Sequence, residues 1–359
     1  MPRKRSKPLS RKQQRRIQKM RQEKRKKQPG AGKSREHQDL SGLGPEEPGL
    51  VVAHFGLNVE LEAEDGSSFR CAVRETLDDN PVCGDQVEWR RPLDGQGVGV
   101  VTSIKERTNI LRRPTSHDRI QVLATNVNLM AVTMTADQVK PGLFDRYLVA
   151  AAASGMNAIA VINKVDLIPE PEWLEEIYET LLFPYEEMGY PVLFVSAESG
   201  FGLDALEQAV QGHTAIFVGQ SGVGKSSLID RLVPEKLVTG EVHAPTGQGR
   251  HTTTVARLHH LPSGGNLIDS PGIRTFGLFG VLREEVPVLF KEIAPFAGKC
   301  RFTTCTHTQE PGCALHEAME AGHISPERLE SLLRIMASLP SRFDHETRSR
   351  DRKRSYFPG

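Results

Sequence analysis

No apolar run in this 359-residue chain approaches the roughly 18–20 residues that cross a bilayer. The charged N-terminus lacks the apolar core of a signal peptide, and the final Phe-Pro-Gly is no prenylation box. These absences lead us to expect a cytoplasmic protein with no membrane partner. Cysteine is scarce, with five in all, which excludes a disulfide-stapled secreted domain. Acidic residues are nearly missing from the first 35 positions, which hold 16 Lys/Arg against Glu23 alone, a net charge of +15. The remainder carries 30 basic and 44 acidic residues, so an overall charge of +1 hides a steep asymmetry. A tail so basic and so poor in apolar residues cannot build a core. It suits a grip on nucleic acid that works by releasing counterions; the bland alternative is a solubilising or membrane-surface tail. Arg348, Arg350, Arg352, Lys353 and Arg354 form a smaller basic patch at the other end.

Residues 219–226 read Gly219-Gln220-Ser221-Gly222-Val223-Gly224-Lys225-Ser226, a complete G-x-x-x-x-G-K-[ST] phosphate loop. Thr214–Val218 before it is a short apolar, β-branched run that predicts a buried parallel strand. A helix is expected from Lys225 through Ser226, Ser227, Leu228, Ile229 and Leu232. Its N–H groups and positive end would face phosphates. By the usual roles, Lys225 reaches the β/γ-phosphates and Ser226 ligates Mg²⁺. A chance glycine-rich turn would lack the flanking strand and helix. Gly30-Ala31-Gly32-Lys33-Ser34 is such a decoy, with Lys27 where the first glycine belongs and no strand before it.

Upstream, where an ordinary GTPase would have it downstream, lies Asn163-Lys164-Val165-Asp166. An Asp carboxylate at its last position can accept the N1 and N2 protons of guanine, which adenine lacks. The run Ala158–Ile162 puts this motif at the C-terminal end of a strand, where α/β sheets bind ligands. Ser196-Ala197 follows Val192–Val195 in the same manner and resembles the loop whose Ala N–H contacts guanine O6. Asp269-Ser270-Pro271-Gly272 follows Asn266–Ile268 and matches Asp-x-x-Gly, with Asp269 acting on Mg²⁺ through water and Gly272 sensing the γ-phosphate. Each short motif is weak alone; four at strand ends with consistent roles are not. The inverted order is that of a circularly permuted GTPase.

Between the phosphate loop and Asp269 stands Gly247-Gln248-Gly249-Arg250-His251-Thr252-Thr253-Thr254, polar and glycine-bearing, as a loop that orders on the γ-phosphate should be. Thr253 is the chosen second Mg²⁺ ligand. After Asp-x-x-Gly many GTPases carry a water-positioning Gln; here Ile273 occupies that place. His251 is the nearest residue to replace it, unless it only hydrogen-bonds within its loop.

Near the C-terminus, Cys300, Cys305, His307 and Cys313 follow the spacing C-x4-C-x-H-x5-C. Three thiolates and an imidazole close a tetrahedral structural site, and clustering in a reducing compartment favours metal over disulfide. Cys71 and Cys83 read as small buried hydrophobes, and His316 and His323 as solvent-facing or helix-end residues.

The motif order, the Gly-Arg-His-Thr-Thr-Thr loop and this cluster together resemble the bacterial ribosome small subunit-dependent GTPase A family (RsgA/YjeQ) over nearly the whole chain. The resemblance implies an N-terminal OB-fold, a permuted α/β GTPase domain and a mostly helical C-terminal domain holding one zinc through Cys300, Cys305, His307 and Cys313. It also implies GTP hydrolysis stimulated by the small ribosomal subunit, late in that subunit's assembly. GTP/GDP, the subunit and its 16S rRNA would then be the partners of a monomer.

The expected layout is a basic tail and linker over 1–48 (Gly42, Gly44, Pro45 and Pro48 marking the linker from 36), then an all-β domain over 49–112, with strands at Val51–Leu61, Phe69–Arg74, Gln86–Trp89 and Gly97–Ile104. An SH3-like barrel fits those runs as well as an OB barrel; only the resemblance separates them. The GTPase domain covers 113–280, with one strand in Gln121–Thr133, a helix over Pro141–Gly155, another over Pro171–Met188 interrupted at Pro184, and one at Leu203–Val210. The zinc domain covers 281–345, including a helix that Ser325-Pro326 begins, and 346–359 is the basic C-terminal tail.

Overall fold

The computed structural model describes residues 42–56, 58–74, 77, 79–93, 97–114, 120–233, 256–269 and 278–341. Among the described residues five strands come first: β1 (Leu43–Phe55), β2 (Asn58–Ala63), β3 (Ser68–Val73), β4 (Gln86–Pro92) and β5 (Gly99–Ile104). They pair in the order β1-β2-β3-β5-β4, and β4 returns to β1, closing a barrel. All its pairs are antiparallel except β3 with β5. This Greek-key closure of five strands is the OB-fold. Alternation fills the interior, with Val51, Val59, Leu61, Cys71, Val87, Trp89 and Val101 wholly buried.

Two expectations about this region need correction. The linker predicted over 36–48 gives way to strand at Leu43, and Val51–Leu61 is two strands turning at Gly56. Leu43–Leu50 pairs with β4, but pairing with β2 starts only at Gly49. Pro45 and Pro48 thus lie on a stretch with one open side, where a missing N–H breaks no ladder bond.

A hairpin of β6 (Ile110–Pro114) and β7 (Ile120–Thr125) links the barrel to the second sheet. Wholly buried Asp85 holds the junction. It accepts from Arg107 Nε and Nη2, both at 2.8 Å, and from Thr125 Oγ1 at 2.7 Å. The single strand expected in Gln121–Thr133 is divided between β7 and the next strand, β8 (Leu129–Thr135), which lies outside the hairpin. Asn126 makes the break in the left-handed conformation (φ 57°), which its short amide side chain tolerates.

The α/β part of the sheet adds β9 (Asn157–Asn163), β10 (Val192–Phe194), β11 (Thr214–Val218), β12 (Arg257–His260) and β13 (Asn266–Asp269), in the order β10-β9-β8-β11-β13-β12. Every pair from β10 to β13 is parallel; β12 is antiparallel to β13 and meets the barrel where Ala53 faces Arg257. The helices are α1 (Pro141–Ala153), α2 (Pro171–Ile177), α3 (Phe183–Glu187), α4 (Leu203–Val210) and α5 (Lys225–Leu232). Between α2 and α3, Tyr178–Leu182 form a π-turn. The interruption therefore precedes Pro184, whose ring cannot sit against a carbonyl one α-turn back.

The C-terminal part is helical: 3-10 turns at Arg283–Leu289 and Ala294–Phe296, then α6 (Ala314–Glu320) and α7 (Pro326–Ala337). Ser325 caps α7, its hydroxyl accepting the Arg328 N–H. Arg328 seats α7 on α1. Its guanidinium bonds buried Asp145 and donates to Glu292 at 2.6 Å, while lying over the rings of Tyr185 and Phe290.

Candidate nucleotide and metal sites

Strands β8, β9 and β10 spread to one side of the sheet, and the chain then returns to lay β11 against the opposite side of β8. The order reverses between β8 and β11, which is where doubly wound sheets bind ligands beyond the carboxyl ends of their strands. The phosphate loop follows β11 at this point. Gly219 (φ 142°) passes so close to β8 that a Cβ would stand 2.2 Å from the Thr133 carbonyl oxygen. Gly224 (φ 91°) opens α5, and a Cβ there would meet Asn163 Nδ2 at 2.3 Å. Glycine at these positions answers both backbone conformation and crowding.

Lys225 Nζ lies across the loop, donating to the carbonyls of Gly219 at 2.9 Å and Gln220 at 2.6 Å. Gln220, Ser221, Ser226 and Ser227 line the loop and the first turn of α5, whereas Val223 is buried beneath the loop. Asp269 ends β13, one residue past the pairing of Ile216 with Ile268, and so at the level of the loop's entry.

Asn163 joins the two nucleotide motifs. The side chain is 1% exposed. Its Nδ2 donates to the Val223 carbonyl at 2.9 Å and its Oδ1 accepts the Ala197 N–H at 3.2 Å. Lys164 is left-handed (φ 65°), turning the chain so that Asp166 stands at the surface. The Ser196 hydroxyl donates to Asp166 Oδ1 and accepts the Ser199 N–H at 3.0 Å. An exposed carboxylate held by one oxygen leaves acceptor capacity for a base edge. Asn163, Lys164, Asp166, Ser196, Ala197, the phosphate loop and Asp269 therefore gather at one end of the sheet. His251, Thr253, Ile273 and Gly272 lie outside the described residues, as do both basic tails.

One contributor escaped sequence reading. Arg231, in the last turn of α5, donates from Nε to the Ala197 carbonyl and from Nη2 to the Glu198 carbonyl, both at 2.7 Å. No motif spacing marks it; in sequence it is a polar position on an amphipathic helix.

The four expected metal ligands come together ahead of α6. Their donor atoms all lie within 4.8 Å of one another. Cys300 Sγ and Cys313 Sγ are each 3.5 Å from His307 Nδ1 and 3.9 Å apart. Tetrahedral zinc with Zn–S about 2.3 Å and Zn–N about 2.0–2.1 Å requires edges of roughly 3.8 Å and 3.6 Å, so the donor set fits a metal of that kind. His307 takes a left-handed conformation (φ 61°), and burial lowers its pKa, favouring the neutral imidazole that ligates. Glu310 organises the loop between the ligands, accepting the N–H groups of Thr306, Thr308 and Gln309 at 2.7, 3.0 and 3.2 Å. His316 is no ligand; its Nε2 lies 3.0 Å from the His307 carbonyl oxygen. His323 is exposed at a helix end and stacks on Phe296. Cys71 and Cys83 are fully buried apart from the cluster. There, burial pushes the Cys71 thiol up to about 12.

An OB barrel, a P-loop sheet whose guanine motif precedes its phosphate loop, and a helical Cys3His domain define a circularly permuted GTPase. The model of the RsgA GTPase family matches residues 104–279. The Small ribosomal subunit biogenesis GTPase RsgA of Pseudomonas putida is 46% identical over 341 residues, 92% of this chain and 97% of that protein. Its Pseudomonas aeruginosa namesake is 44% identical over 337 residues, 92% and 97%. Among solved structures, YjeQ from Thermotoga maritima aligns with a TM-score of 0.64 at 29% identity, over 82% of this chain and 99% of that one. YloQ, a circularly permuted GTPase, aligns at 0.65 and 26%, over 86% and 97%. The chain belongs to the RsgA family of GTPases.

Among the described residues, no helix is long and apolar enough to cross a membrane.

Proposed function

We propose that this protein binds the rRNA of the small ribosomal subunit and hydrolyses GTP to GDP and phosphate during late maturation of that subunit, with the subunit stimulating turnover. The observation that carries this reading is the convergence of the Asp166 carboxylate, the phosphate loop and Asp269 at one sheet end, in a chain whose relatives bear the name small ribosomal subunit biogenesis GTPase.

In this assignment Asp166 accepts the guanine N1 and N2 protons, the Ala197 N–H meets guanine O6, Asn163 ties the phosphate loop to the base-reading loop, and Lys225 neutralises the β/γ-phosphates. Ser226 and Thr253 complete the Mg²⁺ shell that arrives with GTP, Asp269 reaches the ion through water, and Gly272 senses the γ-phosphate. His251 orients the attacking water. Cys300, Cys305, His307 and Cys313 hold one structural zinc, which fixes the loop ahead of α6 and takes no part in hydrolysis.

The domains divide as 1–48, 49–112, 113–280, 281–345 and 346–359, with the first strand of the barrel starting within the leading segment. The basic tail over 1–35 grips rRNA, and the protein works as a cytoplasmic monomer.

Co-sedimentation with purified subunits in a non-hydrolysable GTP analogue tests the partner. The full chain should pellet with small subunits and not with large ones, and deletion of residues 1–35 should weaken that association and flatten its salt dependence. Equal binding to both subunits, or an unaltered salt slope, would count against the assignment.

A further inference from the structure

The Ser196-Ala197-Glu198 loop has two anchors. From one side Asn163 Oδ1 takes the Ala197 N–H at 3.2 Å. From the other, Arg231 crosses from α5 to the carbonyls of Ala197 and Glu198, two bonds of 2.7 Å from one planar fork. Ala197 is thus held through both its N–H and its C=O. Capture of two successive carbonyls fixes the planes of two successive peptides, and a charged, planar donor does this with little loss of side-chain freedom per bond.

We propose that Arg231 is a positioning residue for guanine recognition: by holding the Ala197 and Glu198 carbonyls it keeps the loop where the Ala197 N–H, 3.2 Å from Asn163 Oδ1, is shared between that oxygen and the O6 of the base. This rests on the reading of Ser196-Ala197 as part of the guanine site. Arg231 sits six residues beyond Lys225 on the helix that the phosphate loop opens. One helix therefore carries the phosphate contacts at its start and braces the base-reading loop near its end. Correct spacing between base and phosphate pockets follows from that shared rigid element.

The test is equilibrium binding of two nucleotides to the full chain, using GDP and the diphosphate of 2-aminopurine riboside, which keeps the amino group of guanine but lacks O6 and, with it, the N1 proton. The wild-type protein should prefer GDP. Arg231→Ala should weaken GDP roughly ten-fold, the scale of one lost backbone hydrogen bond to the base, while the 2-aminopurine nucleotide changes less than about two-fold. Arg231→Lys, able to reach one carbonyl but not to fork, should fall between. Equal weakening of both nucleotides would make Arg231 a general support of α5, and no change in either would remove its role; each result overturns the proposal while leaving the guanine site standing. A wild-type protein with no preference for GDP would overturn the guanine-reading assignment, and the role of Arg231 with it.

Discussion

Arg257 grips both carboxylate oxygens of Glu60, at 3.2 and 2.6 Å, and so ties the last strand of the GTPase sheet to the second strand of the barrel. The backbone of Arg257 faces Ala53 of the barrel on one side and Asp269 of β13 on the other. His260, on the same strand, meets Glu62 at 2.9 Å. A single residue thus separates the barrel from Asp269, the acidic residue expected to act on magnesium.

The pair is partly exposed, with side chains 40% and 29% accessible, so its direct contribution to stability is about 1 kcal/mol or less. Arg257→Ala should lower the midpoint of thermal unfolding by no more than about 2–4 °C. The charge swap Arg257→Glu with Glu60→Arg should recover much of that loss. Failure of the swap to recover more than either single change would mean the ion pair does not join the domains.

Asp166→Asn removes the carboxylate that accepts two guanine protons. Hydrogen bonds to a charged group contribute about 1.5–3 kcal/mol each, so GTP affinity should fall by roughly 100-fold or more. Xanthine offers an oxygen where guanine has its amino group, and the variant should turn toward xanthosine nucleotides. An unchanged preference for GTP in competition binding would remove Asp166 from the site.

The metal cluster should hold one zinc per chain by elemental analysis. Structural zinc binds with about 10–16 kcal/mol in small domains, so Cys313→Ser should leave the metal content well below one equivalent. Cys313 directly precedes α6, and α7 packs on α1 through Arg328 and Asp145. Chelation should therefore raise amide exchange through α6 and α7 while sparing the barrel. Full metal content in the variant would exclude Cys313 as a ligand.

His251→Ala tests the replacement for the absent glutamine. Turnover stimulated by the subunit should drop about ten-fold or more, a barrier increase of about 1.4 kcal/mol or greater, with little change in GTP affinity. A large loss of affinity would make His251 a residue that shapes its loop, and full turnover would shift the water-positioning role to Thr252–Thr254 or to the ribosome.

The chemistry of this protein was more legible in its sequence than its connectivity. Phosphate, guanine and a tetrahedral metal each demand fixed residue types at fixed spacing, so the sequence alone nominates Lys225, Asp166 and Cys300, and the structure brings each together with its motif partners. Leu43–Pro48 did not, because glycine and proline mark a linker unless one knows that the strand's other edge is open. The break at Asn126 was hidden because apolar residues continue on both sides of it, and only a left-handed backbone separates β7 from β8. The π-turn before Pro184 moved the helix interruption by a few residues, since the ring's conflict is with the preceding turn. Arg231 and the Arg257–Glu60 pair were invisible for a common reason: each acts across elements distant in sequence, and an exposed arginine carries no signature of its partner.

Multiple-turnover hydrolysis of GTP, measured with and without purified small subunits and with ATP as the control substrate, tests the central claim most directly. The expected result is slow release of phosphate from GTP by the protein alone, a large acceleration by small subunits, and none with ATP or with large subunits. GTP turnover indifferent to the small subunit, or ATP hydrolysed as readily as GTP, would contradict it.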